Sequence, residues 1–111
     1  MRLSLDEARL RVAGGAAWLD AERPGWEAHV DLGTLDVGAS CRCVIGQVLG
    51  DYYIAARRVP GGVVTCGFAA PHMDIESYPI LTAAWRELIE ARRATVPASK
   101  ESAHEALALT V

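Results

Sequence analysis

Apolar residues near the start of the chain recur at the spacing of an α-helix. They form one stripe, made of Leu5, Ala8, Val12, Ala16 and Leu19, as expected for a helix with one buried face. Ser4 precedes the stripe and Glu7 follows three residues later, which is the pattern of a capping box. Pro24 and Gly25 end the periodicity, so the pattern predicts a first helix over residues 4–23.

Gly14 and Gly15 lie in the middle of this predicted helix. Each glycine costs about 1 kcal/mol relative to alanine at an interior helix position. We therefore expect a neighbouring segment to cross the helix closely at this point, where a side chain would obstruct it.

A second apolar run begins after Ser40, which is a candidate N-cap. The run has a broad apolar face made of Cys41, Val44, Ile45, Val48, Leu49 and Tyr52, and it predicts a helix over residues 40–56. Gly46 and Gly50 lie four residues apart on another face of this helix. Because they lack side chains, they predict close packing against another segment of backbone.

The last clear stripe lies towards the end of the chain and is made of Leu81, Trp85, Leu88 and Ile89. Ser77 can cap this helix and Pro79 suits its first turn, so we predict a helix over residues 78–93. Beyond Pro97, Ser102 and Glu105 form another capping box. The tail over residues 95–111 is therefore expected to carry a short helix of its own.

The segments between these stripes have weaker patterns. Residues 24–39 fit neither a long helix nor a strand and predict an irregular, ordered connection centred on Trp26. Asp31 and Asp36 are expected to accept hydrogen bonds from nearby backbone amides in this connection. Residues 54–66 leave two alternatives, a β-hairpin around Pro60-Gly61-Gly62 or an extension of the second helix. Residues 67–76 are expected to form a loop.

Together these elements indicate a mainly α fold. We expect a small single domain over residues 1–94, with about three main helices, a long ordered connection and at most one β-hairpin. The core expected from the stripes consists of Leu5, Val12, Leu19, Trp26, Val44, Ile45, Val48, Leu49, Leu81, Trp85, Leu88 and Ile89.

The composition is that of a folded protein. Of 111 residues, 51% are hydrophobic and 23% are charged, close to the globular average. Polar residues or glycine interrupt every apolar run well before the roughly 18 residues of a membrane-spanning helix. Charges occupy the N-terminal stretch where a signal peptide would have its apolar centre, which predicts a cytoplasmic location. The net charge of −3 disfavours binding to nucleic acid.

The three cysteines are the main candidates for chemistry, and we expect them to stay reduced. A zinc site is one hypothesis, since the chain has the necessary ligand types in Cys41, Cys43, Cys66 and His72. The spacing of the first two is unfavourable, because residues two positions apart on a helix point about 200° away from each other. We therefore expect neither a metal nor another cofactor.

Cys43 is also a candidate nucleophile, because a helix N-terminus favours a thiolate. His29 would then serve as the base and Asp31 would orient it. A buried structural role is favoured for Cys43, since free cysteine is among the most buried residue types. A binding surface, by contrast, is expected where polar and aromatic residues leave the apolar face of the second helix, at Gln47, Asp51, Tyr52 and Tyr53.

Several short motifs follow one another along residues 13–93. They are Ala17-Trp18-Leu19-Asp20, Pro24-Gly25-Trp26, Val30-Asp31-Leu32, Leu35-Asp36-Val37, Cys43-Val44-Ile45-Gly46-Gln47-Val48-Leu49-Gly50-Asp51-Tyr52, Gly67-Phe68 and Leu81-Thr82-Ala83-Ala84-Trp85-Arg86-Glu87-Leu88-Ile89. Their order resembles a group of small uncharacterised proteins encoded by actinobacterial phages and prophages. The resemblance implies a setting in the cytoplasm of a bacterial host.

In that setting the favoured hypothesis is a non-catalytic accessory protein that binds a host or phage macromolecule, with a protein partner preferred. One alternative is a small structural domain stabilised by self-association, as a homo-oligomer, or by the Cys/His zinc site. Another alternative is a thiol-dependent enzyme that uses Cys43.

Overall fold

The structure, a computed structural model, describes the backbone of residues 2–110 and the side chains of residues 2–72 and 74–94. Its four α-helices are α1 (Leu5–Glu22), α2 (Val44–Leu49), α3 (Tyr52–Ala56) and α4 (Ser77–Thr110). Short 3-10 turns occur at Trp26–His29 and Pro71–Met73. No strand occurs within residues 2–110, and the predicted mainly α fold is confirmed.

Helices α1 and α4 form the frame of the molecule and run in the same direction. At one end the backbone N–H of Leu3 donates to Ser77 Oγ at 2.9 Å. At the other end both terminal guanidinium nitrogens of Arg92 donate to the Asp20 carboxylate, at 2.7 and 3.0 Å. The capping of α1 is as predicted, since the Glu7 amide donates to Ser4 Oγ at 3.1 Å.

Three aromatic rings fill the centre of the core. Phe68 stacks on Trp85 with ring centroids 5.1 Å apart, and Trp26 meets Trp85 edge to face at 5.8 Å. The Trp85 indole N–H is satisfied by the Gly67 carbonyl at 2.7 Å. The loop predicted for residues 67–76 thus contributes a core residue, Phe68, that the helical stripes did not identify.

Most of the predicted core is buried, and the confirmed members are Val12, Leu19, Trp26, Val44, Ile45, Val48, Leu81, Trp85 and Ile89. Leu49 and Leu88 pack against this core but are only partly buried. The prediction was wrong for Leu5, which is 41% exposed. Leu3 is buried beside Ser77 and fills that end of the core instead.

The expected close approach to α1 occurs at Gly15. A Cβ atom there would lie 2.3 Å from the Cys66 carbonyl oxygen and 3.0 Å from ring atoms of Phe68 and Trp85. At Gly14 a Cβ would meet nothing within 4 Å. The expectation is therefore confirmed at one glycine of the pair and not at the other.

The second predicted helix, over residues 40–56, is wrong in its bounds. Cys43 rather than Ser40 is the N-cap, and its Sγ accepts from the Gly46 amide. Gly50 ends α2 with a φ of +91°, a left-handed conformation that breaks the helix. Asp51 then caps a separate helix, α3, by accepting from the amides of Tyr53 and Ile54.

Of the two alternatives for residues 54–66, the hairpin is absent from the described backbone and the helix extension stops at Ala56. A series of tight turns follows, in which Gly61 and Gly62 adopt positive φ and Thr65 Oγ1 donates to the Gly61 carbonyl. Arg11 of α1 donates to the Val64 carbonyl at 2.9 Å. Such contacts hold the segment against α1.

The last helix is longer than predicted at its C-terminal end. It continues past Arg93 and Pro97 to Thr110, so the expected separate tail helix is a continuation of α4. Ala, Ser, Lys and Glu follow the proline, and most of these are compatible with a helix. The side chains of the predicted capping box at Ser102 and Glu105 lie outside the described residues.

Candidate binding surface

Two aspartates shape the connection that leads to α2. Asp31 Oδ1 accepts from the Gly33 amide and Asp36 Oδ1 from the Gly38 amide, each at 2.9 Å. These are the turns predicted from the sequence, in which an aspartate bonds the backbone two residues on. Asp31 is thus a structural residue of the connection.

Gln47, one of the predicted surface residues, is used to hold this connection. Its Oε1 accepts from the Asp31 amide at 2.6 Å, and its Nε2 donates to the carbonyls of Asp31 and Arg42 at 3.3 and 2.8 Å. The side chain is half-buried. Gln47 therefore stabilises the connection that leads to α2, and we do not assign it a contact with a partner.

The two glycines expected to permit close packing differ from each other. A Cβ at Gly46 would lie 2.0 Å from the Ser40 carbonyl oxygen, so the preceding turn crosses α2 there. A Cβ at Gly50 would meet nothing within 4 Å. The prediction of close packing was therefore wrong at Gly50. Glycine is required there because the backbone between α2 and α3 adopts a positive φ.

The remaining predicted residues, Asp51, Tyr52 and Tyr53, line one small cavity together with Ser40, Cys41 and Gly50. Its volume is about 290 Å³. Tyr52 is half-buried, and its ring meets the Tyr53 ring edge to face at 5.3 Å. Tyr53 itself is 69% exposed, and Ile54 beside it is 61% exposed.

The third tyrosine of the chain is Tyr78. The pKa of Tyr52 is raised, first by burial and then by the neighbouring Cys43, Tyr78 and Tyr53 groups. Tyr78, from the first turn of α4, is therefore close enough to Tyr52 to act on it electrostatically. We define Tyr52, Tyr53, Ile54, Ile75 and Tyr78 as the tyrosine face.

A larger cleft, open to solvent, adjoins the tyrosine face at Tyr78. It has a volume of about 840 Å³ and lies between the turns of residues 33–42 and the start of α4. Ile75, 78% exposed, and Pro79 are among its apolar lining residues. Arg42 and Arg86 are its two cationic lining residues. We call this cavity the α4 cleft.

The sequence did not identify the α4 cleft, because the two halves of its lining are about 40 positions apart along the chain. Ile75 gave the one available signal, as a large apolar residue that belongs to none of the helical stripes. Tyr78 lies in the first turn of a helix whose buried stripe begins later, at Leu81.

The surroundings of Cys43 do not suit a nucleophile. The side chain is 1% exposed, and burial is the main cause that raises the pKa of its thiol. Its Sγ accepts from the Gly46 amide at 3.3 Å and donates to the Ser40 carbonyl at 3.4 Å. Among the described side chains, neither His29 nor Asp31 forms a hydrogen bond with it. Cys43 caps α2 and packs in the core.

The zinc hypothesis is also not supported by the arrangement of the cysteines. Cys41 is exposed, whereas Cys66 is buried and donates to the Pro60 carbonyl at 3.4 Å. Within the described residues no group of three or more His, Cys, Asp or Glu side chains is placed to hold a metal ion. The four candidate ligands therefore do not form a metal site.

No protein-family model, curated protein or solved structure matches this chain. None of the described helices combines the length and the apolar character needed to cross a lipid bilayer.

Proposed function

We propose that this chain is a non-catalytic accessory protein of a phage or prophage, and that it binds a protein partner through the tyrosine face in the cytoplasm of a bacterial host. The observation that carries the proposal is the pair of aromatic rings, Tyr52 and Tyr53, beside a small surface cavity, with Tyr53 69% exposed.

Tyrosine supports this role because its large, rigid side chain offers both apolar area and a hydroxyl group at a small cost in conformational entropy. Interfaces are enriched in tyrosine and arginine, and the residues that carry most binding energy are often of these types. Tyr53 is a largely exposed anchor of this kind, and the edge-to-face contact with Tyr52 orients its ring. Ile54 and Ile75 are large apolar residues that are also exposed.

The test is capture of partners from a lysate of an actinobacterial host, with wild-type protein and two variants compared. Tyr53→Ala removes the anchor, and its exposure means that the fold should be unaffected. Leu10→Ala is the matched control, because Leu10 is a large apolar residue that is 71% exposed on α1, outside the tyrosine face.

We expect a stoichiometric partner to be retained by wild type and by Leu10→Ala, and to bind at least tenfold more weakly to Tyr53→Ala. Light scattering of the purified protein would reveal whether that partner is a second copy of the chain. Absence of any stoichiometric partner, or equal retention by both variants, would refute the proposal.

A further inference from the structure

The α4 cleft carries an inference about the chemistry of the partner, and this inference rests on the proposed protein-binding function. We propose that the α4 cleft binds an extended acidic segment of the partner, with aliphatic side chains against Ile75 and Pro79 and carboxylates held by Arg86 and Arg42.

The charges in the cleft favour an anionic segment. The chain as a whole has a net charge of −3, but two arginines and only one carboxylate, Asp36, line the cleft. Asp36 is already engaged within its own turn, because Oδ1 accepts from the Gly38 amide at 2.9 Å and Oδ2 lies 3.8 Å from the Arg42 guanidinium. Because Asp36 and Arg42 offset each other, the cleft has a formal excess of one positive charge, which Arg86 carries.

Arg86 is the strongest anchor for a carboxylate. It is partly buried, and no ion pair or hydrogen bond ties it to another of the described side chains. A guanidinium group binds a carboxylate through two parallel hydrogen bonds, a geometry that lysine cannot reproduce. Thr82 lies one turn earlier, and its Oγ1 accepts from the Val37 amide at 3.0 Å. Its hydroxyl proton can therefore donate into the cleft.

The shape of the cleft favours a chain segment over a small molecule. Small-molecule sites usually enclose most of the ligand surface. This cleft, with a volume of about 840 Å³, is instead open to solvent. The exposed Ile75 and the ring of Pro79 give an extended segment an apolar strip beside the two charges. Tyr78 connects this strip to the tyrosine face, so one partner can cover both.

The test is an NMR titration of the isotope-labelled protein with defined peptides. The probes are acetyl-Leu-Glu-Leu-Glu-amide, the same peptide with glutamine in place of glutamate, inorganic phosphate and a short oligothymidylate. We expect the glutamate peptide to shift the backbone amides around Thr34, Arg42 and Arg86 more strongly than any other probe. Arg86→Gln should weaken this binding about tenfold, and Arg86→Lys should weaken it by less.

The matched control is Arg57→Gln, which removes an exposed arginine outside the cleft and should leave the titration unchanged. Equal binding of the glutamate and glutamine peptides would overturn the inference, as would undiminished binding to Arg86→Gln. Stronger shifts with phosphate or the oligothymidylate would overturn it in favour of a general anion or nucleic-acid site. If the captured partner depends on Tyr53 but not on Arg86, the proposed function stands and this inference fails.

Discussion

The adjacent glycines of α1, Gly14 and Gly15, allow a test of the close crossing of the Cys66 turn over this helix. Gly15→Ala places a methyl group where the Cys66 carbonyl oxygen would be 2.3 Å away and two aromatic rings 3.0 Å away. Gly14→Ala adds the same methyl group on the same helix, with no atom within 4 Å. The two variants therefore share the change in helix propensity and differ in packing.

The magnitudes follow from these contacts. Replacing an interior helical glycine by alanine favours the helix by about 1 kcal/mol, so Gly14→Ala should stabilise the protein by about that amount. Overpacking of a core costs about 1–3 kcal/mol, and the upper end applies at Gly15 because the nearest atom belongs to the backbone. After the helical gain is subtracted, we expect Gly15→Ala to be destabilising by about 2 kcal/mol.

Urea unfolding followed by tryptophan fluorescence and far-UV circular dichroism measures both free energies of unfolding. The variants should differ by about 3 kcal/mol, equivalent to roughly 12–24 °C in Tm for a domain of this size. If Gly15→Ala were as stable as wild type, the close crossing of the Cys66 turn over α1 would be incorrect. A destabilised Gly14→Ala would show that the propensity argument does not apply to this helix.

Two further predictions concern the cysteines and the acid stability. An aromatic disulfide reagent should modify one thiol rapidly in the native protein, that of exposed Cys41, and those of Cys43 and Cys66 only after unfolding; two rapid thiols would contradict the burial. The pKa of Asp20 is lowered, chiefly by its hydrogen bonds from Arg92, so its contribution is complete above the ordinary value of 3.8 and is lost as pH falls. The free energy of unfolding of Asp20→Asn should therefore fall less in acid than that of wild type, by about 1 kcal/mol or less because the ion pair is half-exposed. Urea unfolding measures this difference, and an equal loss in both proteins as the pH falls below 3.8 would refute the prediction.

The sequence predicted the elements whose signals are local. Helix α1 has a capping serine, an apolar stripe and a terminating Pro24-Gly25, and its bounds agree with the prediction to within one residue at each end. The second helix failed because its apolar face continues through Gly50 and conceals a break. The adjacent Gly50 and Asp51 do carry the signals of a helix end and a helix start, and giving them more weight than the periodicity would have separated α2 from α3.

Features that depend on tertiary contacts could not be predicted in the same way. Phe68 lies in a segment without periodicity, and its burial depends on the position of Trp85 across the core. The sequence located Asp51, Tyr52 and Tyr53 as a surface group because they end an apolar face. It could not relate Tyr78 to them, since the electrostatic influence of Tyr78 on Tyr52 arises only once the chain has folded.

Arginine side chains help to hold the irregular connections in place. Arg93 donates to the carbonyls of Glu27 and Val30, and Arg23 donates to the Val48 carbonyl at 3.3 Å. A connection without regular structure leaves carbonyl groups without ladder partners, and each needs a donor when it is buried. The forked guanidinium group can serve two such carbonyls at once, which suits a chain with ten arginines and a single lysine.

This structural use of arginine bears on where a partner would bind. Arg92 is committed to Asp20 and lies 5.6 Å from the centre of the Trp26 ring, and Arg93 is committed to backbone carbonyls. A partner that competed for Arg92 would have to break its ion pair with α1, and one that competed for Arg93 would have to break its hydrogen bonds to the connection of residues 24–39. Arg86 carries no such contact among the described residues, although it lies on the same helix only two turns earlier. Arg86 can therefore bind a carboxylate without breaking a contact that stabilises the fold. Since it lines the α4 cleft, that carboxylate would belong to a segment bound in the cleft.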